Sequence, residues 1–352
     1  MDAKNVPQLP RVKKESKNKI RIEMEDRTPF WTRMRQKVFS MYFLQNVIWY
    51  LFRLLLMIGV CFVILYPFIS KIAGSFMSIS DFRNATVRLI PQNFTFRTYS
   101  ALFFERDYPG AFVNTLTLSL ICALIQTFVA CLIGYGLTKF KFKGNKIVFM
   151  LVILTMIVPH QTLRLSLAMK FNYFDLGGVS AWGIPGLLGI FGVDANLSNT
   201  YWPMVILSAT GLAFKNGLYI FMMRNFFTGV PDELEESAYV DGSGTMKTFF
   251  KIIIPLSVPM MITIFLFAFA WQWTDNFYVE TFMAQRDFSL MPNLIDKIPE
   301  SLRLFEGEAG WQTYQTAIRN TAGLMIIAPL LVLYLFCQRY LIQGIERSGI
   351  VG

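Results

Sequence analysis

Charge is what this chain is short of. Only 16% of its 352 residues are Asp, Glu, Lys or Arg, against about a quarter in soluble globular domains. With 54% hydrophobic residues and 34 Phe, a water-soluble class is excluded and the chain reads as an integral membrane protein. Histidine is nearly absent: His160, after Pro159, has no obvious partner and reads as a satisfied or solvent-facing residue rather than a ligand. The four cysteines, Cys61, Cys122, Cys131 and Cys337, lie inside apolar segments without metal-ligand spacing and read as small packed residues. Also missing are a glycine-rich phosphate loop ending in Gly-Lys-Ser/Thr, a Gly-x-Ser-x-Gly elbow and a His-Glu-x-x-His pair. No catalytic residue, metal site or cofactor of its own is therefore expected, and ATP hydrolysis would have to be borrowed. The net charge of +10 raises nucleic acid as a partner. The basic residues, however, crowd beside apolar runs, where they act as orientation signals in a lipid membrane, so no nucleic-acid partner is expected.

Taken in order, residues 1–53 read as a basic cytoplasmic extension, without a signal-peptide cleavage site. An aromatic, amphipathic interfacial helix over 38–50 closes it. Residues 54–352 read as the membrane domain. Crossing about 30 Å of hydrocarbon takes roughly 20 helical residues, and six runs suffice: Leu54–Ala73, Ala111–Thr138, Ile147–Leu167, Tyr201–Phe226, Leu256–Tyr278 and Asn320–Gln338. A backbone in lipid must bond to itself, so an all-α membrane fold is expected. Lys139, Lys141, Lys143 and Lys146 put the second connection in the cytoplasm, with both termini on the same side. Three segments then face outward: Lys71–Gly110, the glycine-rich Phe171–Thr200, and Gln285–Arg319.

One polar interruption still looks helical. In the loop 230–255, Pro231 and the acids Asp232, Glu233, Glu235 and Glu236 suit a helix N-terminus, Asp241-Gly242-Ser243-Gly244 supply a turn, and Thr245–Ile254 resumes a helix before Pro255. Two short helices with an elbow are expected, and Gly242 is expected at positive φ. Leu234, Ala238 and Val230 share one stripe of the first helix, which suits another protein's groove.

Glu236-Ser237-Ala238, three residues, Gly242, nine residues, then Ile252-Ile253-Ile254-Pro255 resembles the signature loop of bacterial ABC-importer permeases, with Ser237 for an alanine and Ile254 for a leucine. Tyr239-Val240-Asp241-Gly242, Phe250 and Pro259 resemble the maltose-type carbohydrate permeases in particular. The resemblance covers roughly residues 54–352. It implies six transmembrane helices of the permease (MetI-like) fold with a cytoplasmic coupling helix, in a bacterial plasma (inner) membrane. It assigns ATPase coupling to Glu235, Glu236, Ser237, Ala238, Asp241, Gly242 and Pro255. The partners it implies are a second permease subunit, two ATPase subunits that carry ATP and Mg, and an extracellular solute-binding protein. The tail 339–352 resembles the family's short ending, which reaches beside the ATPases.

Ionisable groups within spans are costly and informative. Lys215 either faces the aqueous path, where it would bind a polar or anionic solute, or bonds carbonyls of a neighbouring permease. Near the outer end of the fifth run, Trp271, Gln272, Trp273, Asp275 and Asn276 combine aromatic faces with amide and carboxyl groups, the chemistry that grips sugars. The same residues also suit an interfacial tryptophan belt. The alternatives from other classes are a secondary transporter driven by an ion gradient, expected to show several carboxylates within spans and a repeated half, and a membrane scaffold. Neither buried carboxylates nor a repeat is found. A non-sugar solute stays open.

Overall fold

A computed structural model describes residues 12–15, 19–22, 41–175, 196–283 and 289–347. Apart from a two-stranded antiparallel hairpin, β1 (Val12–Glu15) with β2 (Lys19–Ile22), which pairs Val12 with Ile22, the described residues are helical or in connections. The chain divides into two compact units, residues 1–69 and 70–352.

The first unit contains the hairpin and most of α1 (Met41–Ser75), a single helix of 35 residues. At 1.5 Å per residue it is about 52 Å long, longer than the hydrocarbon layer. The described part of the helix expected over 38–50 leads straight into the first expected span as part of this one helix.

In the second unit, α2 (Ile79–Arg83) and α3 (Arg97–Phe104) precede α4 (Tyr108–Lys139), the second span. The third expected span is not one helix. It is α5 (Asn145–Ile157), a 3-10 turn over His160–Leu163, and α6 (Arg164–Asn172), with a 95° bend between the two arms. Pro159 has no N–H to donate and forces Val158 out of the helical region, to ψ 120°. The fourth is broken too, into α7 (Trp202–Ala209) and α8 (Asn216–Thr228). Gly211 at φ +75° and Lys215 at φ +69° interrupt it.

Helix α9 (Glu233–Val240) follows, then α10 (Thr245–Thr248), a π turn over Phe249–Ile253, and α11 (Ile254–Trp273). Here the expected break before Pro255 is absent: Thr245–Trp273 runs as one span. The wide π turn lies just before Pro255, where the missing N–H and the ring disfavour α bonding. After α12 (Phe277–Phe282) and the short α13 (Glu300–Arg303), α14 (Trp311–Arg347) closes the described chain. It carries helix through residue 347, so the described part of the tail, 339–347, is helical. Among the described residues, four helices are long and apolar enough to cross a membrane, five with the bent pair α5/α6.

The core of this unit lies where α4 meets α8 and α11. Tyr219, Met223, Phe227, Met260, Ile264 and Trp273 are buried in it. Gly134 permits the close approach of α4 to α8, since a Cβ there would lie 2.6 Å from Met223 Cβ; Gly217 does the same for α8 against α5, where a Cβ would lie 2.4 Å from Thr155 Oγ1. Pro329, inside α14, leaves the carbonyl of Met325 without its helical donor. The Tyr108 hydroxyl supplies one at 3.0 Å.

Candidate functional site

The signature loop is a short helix with a complete C-terminal cap. Asp232 precedes α9, and its carbonyl accepts from the amides of Glu235 and Glu236 at 3.0 Å each. At the other end Gly242 adopts φ +76°. Ser243 N–H donates to the Ala238 carbonyl at 2.9 Å, and Gly242 N–H donates to the Tyr239 carbonyl at 3.0 Å. This is the six-to-one and five-to-two pair of a Schellman motif, which needs a residue at ease in the left-handed region. No atom lies within 4 Å of where a Gly242 Cβ would stand. The glycine is there for its backbone conformation, and the turn's outer face is open.

Which face of α9 is free differs from the sequence expectation. Val230 and Ala238 are buried within this chain, and Leu234 is exposed. The stripe offered outward is instead Leu234, Tyr239, Val240 and Met246, with Val240 87% exposed. Glu236, Ser237 and Asp241 are exposed beside it, and Pro255 is exposed at the head of α11.

Glu235 points the other way, with its side chain 9% exposed. One carboxyl oxygen accepts from the Tyr135 hydroxyl at 2.9 Å, and the other lies 3.7 Å from the ammonium of Lys139, whose side chain is 7% exposed. The same ammonium donates to the Val230 carbonyl at 2.7 Å and to Asp232 Oδ1 at 2.5 Å. The last turn of α4 is thus clamped across the start of α9. Hydrogen bonding from Lys139, then its charge, holds the Asp232 carboxyl below the usual range. The Tyr135 ring packs at 4.9 Å on Phe249, in the π turn, and at 5.6 Å on Phe227. One aromatic therefore joins α4, α8, α9 and the root of α11. Sequence reasoning missed Tyr135 and Lys139 as site residues; the lysine had registered only as an orientation signal.

The second candidate group is brought together in part. Lys215, in left-handed conformation at the start of α8, holds its ammonium 4.6 Å from the Phe214 ring and 4.8 Å from the Trp271 ring. The His160 ring meets Phe214 edge-on at 4.6 Å. His160, Lys215 and Thr155 border a cavity of about 110 Å³. Phe214 also lines a hollow of about 10 Å³, with Gln126, Trp271, Gln272, Asp275 and Tyr278. Asp275 Oδ1 accepts from the amides of Phe277 and Tyr278 at 3.0 and 3.3 Å. Its Oδ2 and the Tyr278 hydroxyl are buried without a partner. Trp273 does not join this group: it is buried in the core, donating from Nε1 to the Ile326 carbonyl at 3.0 Å. Asn276 is exposed at the start of α12 and lines neither hollow. Gln126, Phe214, His160 and Tyr278 are additions that sequence spacing did not suggest.

The segments expected to face outward pack on one another. Arg83 pairs with Glu308, Arg97 donates to the Ser301 carbonyl at 3.3 Å, and Arg106 donates to the Ile298 carbonyl. Glu308 is thus one half of an ion pair. A cavity of about 360 Å³ lies beside this region, between the end of α1, α2 and the start of α14, with Lys71, Asp81 and Arg88 in its lining. The glycine-rich stretch falls largely on residues 176–195, outside those described.

These features define a multi-pass helical membrane protein with a capped polar helix clamped to the end of one span. The chain belongs to the family of inner-membrane components of binding-protein-dependent transport systems, whose model matches residues 126–347. It is similar to the alpha-glucoside transport system permease protein AglG of Rhizobium meliloti, with 29% identity over 287 residues, 79% of this chain and 68% of that one. It is also similar to the maltodextrin transport system permease protein MalD of Streptococcus pneumoniae, with 26% identity over 306 residues, 84% of this chain and 93% of that one. A bacterial ABC transporter involved in the import of the acidic polysaccharide alginate contains a chain of the same fold, at TM-score 0.61 and 18% identity, over 89% of this chain and 99% of that one.

Proposed function

We propose that this chain is one permease subunit of an ATP-driven importer for a sugar or oligosaccharide. The observation that carries the reading is the clamp of Lys139 and Tyr135 on Glu235 and Asp232. It gives α9 a rigid inner attachment and leaves Leu234, Tyr239 and Val240 free for a partner. The sugar class is supported by what the relatives are named for, alpha-glucosides and maltodextrin.

On this reading there are six crossings: α1, α4, α5 with α6 across the bend, α7 with α8 across their break, Thr245–Trp273, and α14. Both termini and α9 lie in the cytoplasm, where Lys139, Lys141, Lys143 and Lys146 also stand. A second permease completes the path, an extracellular binding protein delivers the solute, and two ATPase subunits hold ATP and Mg and perform all hydrolysis. Closure of the ATPases displaces α9. The clamp passes the movement to α4, and Phe249 against Tyr135 passes it to α11. Two packed helices joined by buried polar bonds shift as one body, because close-packed interiors transmit strain.

Purification of the tagged chain from its native membrane tests this. The expected result is recovery of a second multi-pass protein and an ATPase, with the ATPase lost from the Glu236→Lys, Gly242→Asp double variant, and ATP-dependent sugar uptake in proteoliposomes. Recovery of the chain alone or as a homodimer, with uptake driven by an ion gradient and no ATP, identifies a secondary transporter instead.

A further inference from the structure

The cavity between the end of α1, α2 and the start of α14 measures about 360 Å³, within the roughly 300–1,000 Å³ of small-ligand pockets. Its walls are fixed. The buried Asp81 carboxylate accepts from Asn93 Nδ2 at 2.8 Å and from the Asn93 main-chain amide at 3.1 Å, which closes the loop 84–93. At the other end of that loop, Asn84 Oδ1 accepts from the Thr86 amide and hydroxyl at 3.1 and 2.8 Å. Gly310, at φ +82°, brings the start of α14 against α2, since a Cβ there would lie 3.0 Å from the Phe82 carbonyl. Arg88 thus stands on a pinned loop, not a loose one.

Two cations, Lys71 and Arg88, border this space, and among the described residues neither has an ion-pair partner. Asp81, the one carboxylate among the described lining residues, is already bonded to Asn93. The lining therefore carries one net positive charge. On α14 it includes Thr313, Thr316 and Asn320, one face of the first turns at helical spacing. Thr316 donates to its own helix at the Gln312 carbonyl, which leaves the Thr313 hydroxyl and the Asn320 amide as donors. The same face continues as Leu324, Ile327, Leu331 and Leu335, of which the last three are exposed. A helix face that is polar for two turns and apolar for the next three matches an amphiphile laid along it. Trp311, at the head of α14, suits the level of lipid headgroups.

We infer that this cavity holds the headgroup of an anionic phospholipid carrying one net negative charge, with its acyl chains along the apolar part of the α14 face. The phosphodiester meets Lys71 and Arg88, and headgroup oxygens accept from Thr313 and Asn320. A zwitterionic headgroup would bring its own ammonium beside two cations and is disfavoured. A free phosphate would satisfy the cations but leave the apolar half of the face uncovered. The inference needs α14 to span a membrane; it goes beyond the importer reading and would survive its failure.

Native mass spectrometry of the purified assembly in detergent, titrated with phosphatidylglycerol and with phosphatidylethanolamine of the same chains, measures the two affinities. Phosphatidylglycerol should be preferred about 25-fold, from about fivefold for each cation near a membrane surface. Lys71→Gln and Arg88→Gln should each lower the preference about fivefold, the double variant should abolish it, and Lys71→Arg should keep it. Both side chains are exposed, so thermal unfolding of the variants should match wild type. Inorganic phosphate and glycerophosphoglycerol, which lack acyl chains, should not displace the lipid at equal concentration. Equal affinity for the two lipids, or an unchanged preference in the double variant, overturns the proposal. Displacement by either chain-free anion overturns it in favour of a small-anion site. Loss of a co-purifying soluble protein from the double variant, with the lipid preference unchanged, overturns it in favour of a protein contact.

Discussion

Lys139→Met should loosen α9 from α4 while leaving both helices formed. The ammonium serves three acceptors: the Val230 carbonyl at 2.7 Å, Asp232 Oδ1 at 2.5 Å and Glu235 Oε1 at 3.7 Å. Asp232 is solvated, with its side chain 78% exposed, so its share is small after screening. Glu235 decides the magnitude. Removing one partner of a buried pair costs about 3–5 kcal/mol, because the other charge stays behind. Tyr135 still donates to this carboxyl at 2.9 Å, and the 3.7 Å spacing is long, so we take the low end, about 3 kcal/mol. The Val230 carbonyl adds about 1 kcal/mol if water does not replace its donor. Glu235→Gln in the same background removes the stranded charge, and the double variant should recover about 2 kcal/mol of the loss. Thermal unfolding of the purified assembly gives the coupling between the two sites. The ratio of solute imported to ATP hydrolysed gives the mechanical consequence, and it should fall in Lys139→Met while hydrolysis continues. Strictly additive losses, or a Lys139→Met protein within about 0.5 kcal/mol of wild type, the range of ordinary surface changes, would refute the clamp.

Gly242 should tolerate residues in the order Gly, Asn, Ala, because nothing crowds its missing side chain and only the left-handed backbone is at stake. Ala should cost about 1 kcal/mol, read by thermal unfolding and by uptake. Gly134→Ala should destabilise by about 1–3 kcal/mol, since its Cβ would stand 2.6 Å from Met223 Cβ and 3.0 Å from Arg224 N; calorimetry of the same assembly checks this. Tyr108→Phe should cost about 1–3 kcal/mol by orphaning the Met325 carbonyl, and Pro329→Ala in that background should return a helical donor and much of the loss. Asp232 is held below its ordinary value of 3.8 by hydrogen bonding from Lys139 and then its charge. Its contribution is therefore present above about pH 4 and is lost only as pH falls through the lowered value. Carboxyl titration by NMR should find its midpoint below 3.8, moving up toward it in Lys139→Met.

Hydropathy made the spans legible where helices run unbroken, as in α4 and α14. It failed where local chemistry overrode an apolar average. The window 147–167 contains Pro159, His160 and Arg164, and the 95° bend falls among them. The window 201–226 contains Gly211, Lys215 and Asn216, and its break lies between Thr210 and Lys215. In both, the residues that argued against a straight span were present, but a sum over about 20 positions dilutes two or three of them. At Pro255 the helix expected over Thr245–Ile254 and the span expected from Leu256 run on as one, because a π turn upstream absorbs the proline. The turn at Gly242 was legible, since few sequences other than Asp-Gly-Ser-Gly fit a left-handed cap so well.

Lys139 shows why the site was harder to read than the fold. As one of four lysines in a short connection, it carries information about orientation, which depends only on how many cations stand on which side. Its role in the clamp depends on something sequence does not display, namely that the last turn of α4 lies beside the first turn of α9, 93 residues later. The same holds for Tyr135, whose hydroxyl finds Glu235 100 residues away. Of the four lysines only this one lies both on the helix and within reach of buried acceptors; Lys141, Lys143 and Lys146 follow beyond its end and are solvated or half-exposed. Neutralising any of those three should therefore leave the solute-to-ATP ratio unchanged, whereas neutralising Lys139 should lower it. If all four were equivalent, the basic connection would act as an orientation signal alone and the Tyr135 hydroxyl on Glu235 would be left as the buried polar anchor of α9.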